Sequence, residues 1–352
     1  MALSNYNRAY SLSIAIPQVD RFESYAAKVD GSTYGLKNNI LESNEYSVIS
    51  QTSPDFRSDY NNAKEITEQH LEAYIVKSGK SSVGSLNHVA IRIYNLSEST
   101  RSAICKVDNN VILKAGYNPD FKSDVELPIL YTGQIESFNN KKAGNDYITT
   151  LICKDGYIPT NSVRVGIYWP APTGVLRYQT YGDLIRKVQS IWSANGIKST
   201  NNSVVTDLAS YVLEAPDDIP LYGGYTFQGY LRQLCDQICG EIGYKWYIDN
   251  SILYIEPRQS LNKKTRYTFP LDLSHIISID DYGNNVRATS TNKEPTGIQL
   301  EVFLDGRFEL GKYVEITEGT KKGVYKIVRV EHRLEYRGQS WVTKCICEKD
   351  ND

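Results

Sequence analysis

The chain has no excess of charge of either sign: 39 Lys and Arg stand against 41 Asp and Glu in 352 residues, a formal net charge of −2. Phosphate backbones and anionic lipid surfaces are gripped by clustered Lys and Arg, so this balance argues against a general nucleic-acid or membrane-surface binder. No apolar run reaches the roughly 20 residues that a spanning helix needs. The N-terminus does not read as a charge-then-apolar leader. Methionine occurs once and histidine four times, at 70, 88, 275 and 332, in no His-Glu-x-x-His or comparable arrangement. The six cysteines, at 105, 153, 235, 239, 345 and 347, form no recognisable ligand set and are expected to be free thiols of a chain assembled in the cytoplasm.

Tyrosine is abundant, 27 residues against 8 Phe, with Asn and Ser common in the connecting stretches. A tyrosine ring buries apolar area while its hydroxyl keeps a polar tip, which suits strands whose outer face meets water or another subunit. The length exceeds what one small core needs and favours two or three domains.

Alternation of apolar and polar residues marks the strands. Leu12, Ile14 and Ile16 alternate over 11–16 before Pro17. Residues 19–64 carry little sustained period and read as a long insertion or arm. Leu71, Ala73 and Ile75 alternate, then Val89, Ile91 and Ile93 follow a Gly- and Ser-rich turn, which predicts a hairpin. Ser97 is placed to cap a short helix with Glu98 in its first turn, and Leu96 and Ile104 are expected to face the sheet. Strands are expected at 111–115, 129–137 and 147–153, the last two joined across Asn139 to Asp146, with Asp155-Gly156 closing the run as a turn.

A helical period takes over in the middle. Thr180 and Asp183 pair as a capping signal ahead of Leu184, Val188, Ile191 and Trp192, with Gly196 ending the helix. A second helix is expected from near Thr226, through Leu231, Leu234, Cys235 and Ile238, to Gly243. Tyr244 to Ile248 and Ile252 to Glu256 flank Asp249-Asn250-Ser251 as a hairpin. Strands then return at 298–304, 314–317, 324–331 and 341–347, a second small barrel or sandwich. The expected fold is therefore mainly β with an α+β insert: a first β domain at 1–156 that carries the 19–64 arm, an α+β domain at 157–258, and a second β domain at 259–352.

Several of these runs resemble the tube-like domains of bacteriophage baseplate hub proteins. They are Val89 to Arg101, Val111 to Tyr117, Ile129 to Ile135 and Asp146 to Gly156, followed by Gln237 to Pro257, Leu310 to Ile316, Gly323 to His332 and Gly338 to Cys347. Their order matches as well as the pieces, over most of residues 66–347; the 19–64 insertion departs from the family pattern. The resemblance implies two tube-like domains flanking a helix-containing one, in a homotrimer that joins a tail tube to a central spike. It also implies partners among tube or tube-initiator, spike and other baseplate proteins, with DNA only as cargo passing through the lumen. No stable membrane insertion is expected, and the implied location is the virion tail baseplate after assembly in the host cytoplasm.

The chemistry-bearing residues are weighed against that reading. Cys235 and Cys239, at i and i+4, have a metal-compatible spacing but no second ligand pair nearby, and are read as core. Cys345 and Cys347 share one strand face and are read the same way. His332 is read as solvated or at an interface. A cell-wall hydrolase would need two acids across a cleft; Asp217-Asp218, Asp280-Asp281 and Glu309 are bordered by turn residues and read as loop solvation. Tyr222 to Gly229 lacks the Gly-Lys-Ser/Thr of a phosphate loop and reads as a turn leading into a helix; the one Gly-Lys-Ser, Gly79 to Ser81, has Tyr74 where a phosphate loop needs its first Gly and reads as a turn. Lys141-Lys142 and Lys321-Lys322 are read as solvated turn charges. No catalytic, cofactor-binding or metal-ligating residue is nominated and no cofactor is expected. The alternative is a tail-tip protein that binds host-surface carbohydrate through stacked Tyr and Trp, with a hydrolase as the third reading.

Overall fold

The computed structural model describes residues 7–15, 46–50, 64–67, 69–78, 87–107, 109–118, 126–156, 160–161, 163–169, 179–194, 210–212, 215–258, 268–283 and 297–349. The fold is mainly β, as the alternating runs predict. The first part contains β1 (Arg8–Ala15), β2 (Tyr46–Ser50), β3 (Lys64–Ile66), β4 (Leu71–Ser78), β5 (His88–Tyr94), α1 (Glu98–Ile104), β6 (Asn110–Tyr117), β7 (Ile129–Ala143) and β8 (Asp146–Lys154). The middle holds β9 (Val163–Trp169), α2 (Tyr181–Ala194), β10 (Ser210–Val212), β11 (Tyr225–Tyr230), α3 (Leu231–Ile242), β12 (Tyr244–Asp249) and β13 (Ile252–Pro257). The last part runs β14 (Thr268–Leu271), a 3-10 turn at Leu273–His275, β15 (Ile276–Tyr282), β16 (Gly297–Phe303), β17 (Tyr313–Ile316), β18 (Gly323–Glu335) and β19 (Trp341–Lys349).

Local rules account for most boundaries. Ser97 accepts from the Thr100 backbone N–H and so satisfies an orphan donor at the start of α1. Thr180 and Asp183 exchange backbone-to-side-chain hydrogen bonds at 3.1 and 3.2 Å at the start of α2. Gly243 ends α3 with φ of 73°, a left-handed position that glycine takes without Cβ strain. Asn250 and Ser251, both at positive φ, make the two-residue turn between β12 and β13.

Three apolar clusters follow the sequence. One gathers β1, β4 to β8, Leu96 and Ile104, and takes in Leu304, Leu334 and Trp341 from far along the chain. A second packs α2 and α3 on β9, β12 and β13, with Cys235 and Cys239 inside it. The third gathers β14 to β19 with Tyr247. Each buried Leu, Ile or Val contributes about 1.5–3 kcal/mol, so the inward side of the period-2 pattern holds the sheets together.

The two β parts share one wiring. In the last part the order across the sheet is β15-β16-β19-β18-β17-β14, and in the first it is β4-β5-β8-β7-β6-β1. Replacing each strand by its counterpart in chain order converts one into the other. Both long central strands carry a bulge at the same place, between Ile135 and Ser137 opposite Cys153, and between Ile327 and Arg329 opposite Cys347. They differ at one edge: β1 runs antiparallel to β6, whereas β14 runs parallel to β17.

Several expectations need correction. Residues 139–143 are strand rather than loop, because β7 and β8 stay paired up to a turn at Gly144-Asn145. Thr226 does not begin a helix; residues 225–230 form β11 against β9, and α3 starts at Leu231. The Tyr222 to Gly229 turn is for the same reason mostly strand. Asp280 and Asp281 lie in β15, and Lys141-Lys142 in β7. Within the 19–64 arm, β2 pairs with β9 of the middle part. Ile16, Gly79 to Ser81 and Gly196 lie outside the described residues.

Candidate functional site

The most informative place in the molecule is the seam between the two β parts. From Gly323 to Lys326, β18 pairs with β17. Beyond the bulge at Val328, residues 329–335 pair instead with β4, from Arg329 opposite Ser78 to Glu335 opposite Glu72. A bulge adds twist and re-aims a strand, and here it hands β18 from one part to the other. One sheet path then runs from β15 to β3 across both parts.

On the open face the seam is polar and internally neutralised. Tyr74 donates to Glu331 Oε2 at 2.9 Å, and Arg329 donates from Nε and Nη2 to Glu331 Oε1 at 3.0 and 2.7 Å. The Arg333 guanidinium sits 5.4 Å from the Tyr74 ring centroid and 3.5 Å from Glu331. Partial burial pushes the Glu331 carboxyl up, but the Tyr74 and Arg329 hydrogen bonds and the two guanidinium charges hold it below its ordinary value. Glu72 accepts from Tyr94 at 2.7 Å and from Arg92 at 3.4 Å. A shallow groove of about 390 Å³ crosses the seam here, lined by Glu72, Tyr74, Arg92, Arg333 and Glu335 among others.

The covered face is apolar and tightly tied. Leu334 and Trp341 enter the core of the first part, and Trp341 Nε1 donates to the Gly116 carbonyl at 3.2 Å. Arg8 reaches the turn after β18, donating to the Glu335 and Gly338 carbonyls at 2.9 and 2.7 Å.

Where all three parts meet, the structure buries charge. Lys77, 1% exposed at the end of β4, places Nζ 2.6 Å from Asp249 Oδ1 and 3.0 Å from Asn250 Oδ1. Asn87 donates to the Ile248 carbonyl at 2.8 Å. Asp155 Oδ1 accepts from the Ser251 backbone N–H at 2.8 Å and from its hydroxyl at 3.2 Å. Asp249 Oδ2 accepts from the Leu310 N–H at 3.4 Å, bringing in the last part. Burial, with the Asp249 charge beside it, pushes Asp155 up to about 7 against the pull of Lys77 and Ser251. Its Oδ2 is buried with no hydrogen-bond partner among the described residues.

His332, read from sequence as solvated or at an interface, is 1% exposed and bonded through Nδ1 to Thr343 Oγ1 at 2.9 Å. Burial, with Lys77 nearby, drops it to about 3, so it stays neutral. The reason for the misreading is its place: it occupies the inward position between Val330 and Leu334, in a strand whose charged neighbours Glu331 and Arg333 face outward.

The carboxylates weighed for a hydrolase and read as solvated have partners of their own. Asp217 pairs with Arg186, Asp281 with Lys321, and Glu309 with Lys312. Among the described residues no three His, Cys, Asp or Glu side chains come together as a metal-binding group, and no helix is long and apolar enough to cross a membrane. Burial raises the Cys235 thiol well above its ordinary value and lifts Cys239 to about 12, so neither is a ready thiolate. Cys345 and Cys347 are buried side by side on one face of β19, their sulfurs 3.5 Å apart. The buried joint was missed, although one signal pointed to it. Lys77 continues the inward series of Ala73 and Ile75, and a lysine there needs a partner.

No family model matches the sequence, and no curated protein matches it. Solved structures do. A tail protein from Neisseria meningitidis aligns at 12% identity and a TM-score of 0.49, covering 87% of this chain and 96% of that one. A prophage 43 kDa tail protein from Shewanella oneidensis aligns at 9% identity and 0.48, with the same coverages of 87% and 96%. An Escherichia coli component of the type VI secretion system, described as similar in structure to bacteriophage T4 tail proteins, aligns at 10% identity and 0.47, covering 81% and 74%. All three are likenesses of fold alone, at TM-scores below 0.5. These likenesses assign no role to any residue.

Proposed function

We propose that this chain is a non-catalytic structural hub subunit of a phage tail baseplate, acting as a homotrimeric ring that adapts the tail tube to the central spike. The observation that carries the reading is the β18–β4 seam. It sets two β parts of the same strand order side by side in one sheet, so that three chains present six similar units around an axis and a threefold partner can meet a sixfold one. The order of sequence pieces shared with hub proteins supports the same reading.

The division at 156/157 and 258/259 belongs to this proposal, with the α+β part as a brace between two tube-like domains. The buried joint suits a rigid adapter, since the Lys77–Asp249 pair and the Asp155–Ser251 hydrogen bonds tie the first β part to the α+β part. Tube or tube-initiator, spike and other baseplate proteins are the partners, and the open sheet face, neutralised by its own ion pairs, would line a passage for DNA without gripping it.

Electron microscopy of the chain co-expressed with the tube and spike proteins of its own tail tests this. A threefold ring seated between them is expected. A stable monomer that binds no other tail protein overturns the proposal.

A further inference from the structure

The internal seam is a template for a second one. Val328 and Glu136 are the extra residues at the matching bulges of β18 and β7, so residues 329–335 correspond to 137–143. Across the other pair of strands, Ile298 lies opposite Cys347 and Val89 opposite Cys153, which aligns β16 with β5. Asp280 faces Gln299 as Tyr74 faces Ala90, so Asp280 in β15 corresponds to Tyr74 in β4. Within the chain, residues 329–335 are covered by β4. Their counterparts at 137–143 pair only with β8, and β15, the counterpart of β4, pairs only with β16, among the described residues.

We propose that the free edge of β7 at Ser137–Ala143 docks antiparallel on the free edge of β15 in a second copy of this chain, repeating the internal seam between subunits. Because Arg333 lies opposite Tyr74, the transferred register puts Lys141 of one copy opposite Asp280 of the next. Asn140 then meets Asp281, and Lys142 meets Ile279.

Two independent features of these edges agree. Their charges are complementary, and directly opposed unlike charges stabilise an antiparallel pair, whereas like charges oppose it. Neither Lys141 nor Asp280 has an ion-pair partner among the described residues. An apolar side chain is also left bare at each edge: Phe138 in β7 is 41% exposed, although its counterpart Val330 is buried at the internal seam. Ile277 and Leu273, beside the β15 edge, are 47% and 46% exposed. Long open edges are a liability that ring closure removes, and a contact between two different edges is heterologous and closes into a ring when its rotation allows.

This inference rests on the ring proposed above, and the test separates the two. Lys141→Asp and Asp280→Lys are measured by sedimentation, singly and together in one chain. Each single reversal should lose the oligomer, and the double reversal should recover it. In a Cys105→Ser background, Lys141→Cys with Asp280→Cys should cross-link chains into a discrete closed species on oxidation, while either alone should not. An oligomer that survives both single reversals and gives no cross-link overturns this edge pairing and leaves the ring standing. A chain that sediments as a monomer at every concentration and cannot be captured by the cysteine pair overturns both.

Discussion

Lys77 Nζ and Asp249 Oδ1 lie 2.6 Å apart in the interior, although one ends a strand of the first β part and the other a strand of the α+β part. Taking either charge out of water without the other is costly, so the pair specifies how the two parts dock.

Lys77→Met leaves Asp249 buried without its cation. The expected loss is about 3–5 kcal/mol in urea unfolding. Adding Asp249→Asn should recover a large share of it, because the stranded charge goes too. A loss under about 1 kcal/mol, the scale of an exposed pair, would show that the joint is not dry.

The same joint makes a prediction about acid. Asp155 is raised to about 7 from 3.8, so its folded form holds a proton that the unfolded form has lost, and stability falls as pH rises from about 4 to 7. His332 is lowered to about 3 from 6.5, so the unfolded form binds the extra proton and stability falls as pH drops below about 6.5. Between about pH 4 and 6.5 the two slopes oppose each other. His332→Gln should therefore gain stability on acidification across that window relative to wild type, and Asp155→Asn should lose it. Parallel stability profiles for all three proteins would refute the assignment.

Deleting Val328 removes the bulge and moves every residue from Arg329 to Glu335 to the opposite face. His332 and Leu334 would turn to solvent and Glu331 and Arg333 into the core. The expected outcome is loss of the cooperative unfolding transition, while Val328→Ala, which keeps the bulge, costs about 1 kcal/mol. A deletion variant that unfolds like Val328→Ala would show that the seam does not depend on this residue count.

Native alkylation should modify Cys105, the one half-exposed thiol among six free cysteines. Cys235 and Cys239 should react only after denaturant is added, as mass spectrometry of the labelled peptides can report. Labelling of either in the folded chain would contradict their place in the core.

How much was legible in the sequence can be seen strand by strand. Alternation located β4 and β5 and the hairpin turn at Asn250-Ser251, because period-2 burial and turn chemistry are local. Caps located α1 and the start of α2 through Ser97 and Thr180. Thr226 was misread because β11 runs straight into α3, and the apolar helical period of α3 offers no signal for where a strand that pairs with β9 should stop. The 139–143 stretch looked like a loop because its polar side chains are exposed among the described residues, which on the reading above is a property of an interface.

The sequence by itself determined the inward residues of the clearly alternating strands, such as Leu71, Ala73 and Ile75 in β4 and Val89, Ile91 and Ile93 in β5, and the turn at Asn250-Ser251, since burial and turn geometry act over a few residues. Only the tertiary structure decided that β18 leaves β17 for β4, and that Lys77, Asp155, Asp249 and His332 share one buried joint. Partner choice between strands some 250 residues apart is set by packing and by the pairing of buried charge, and no local period carries that information.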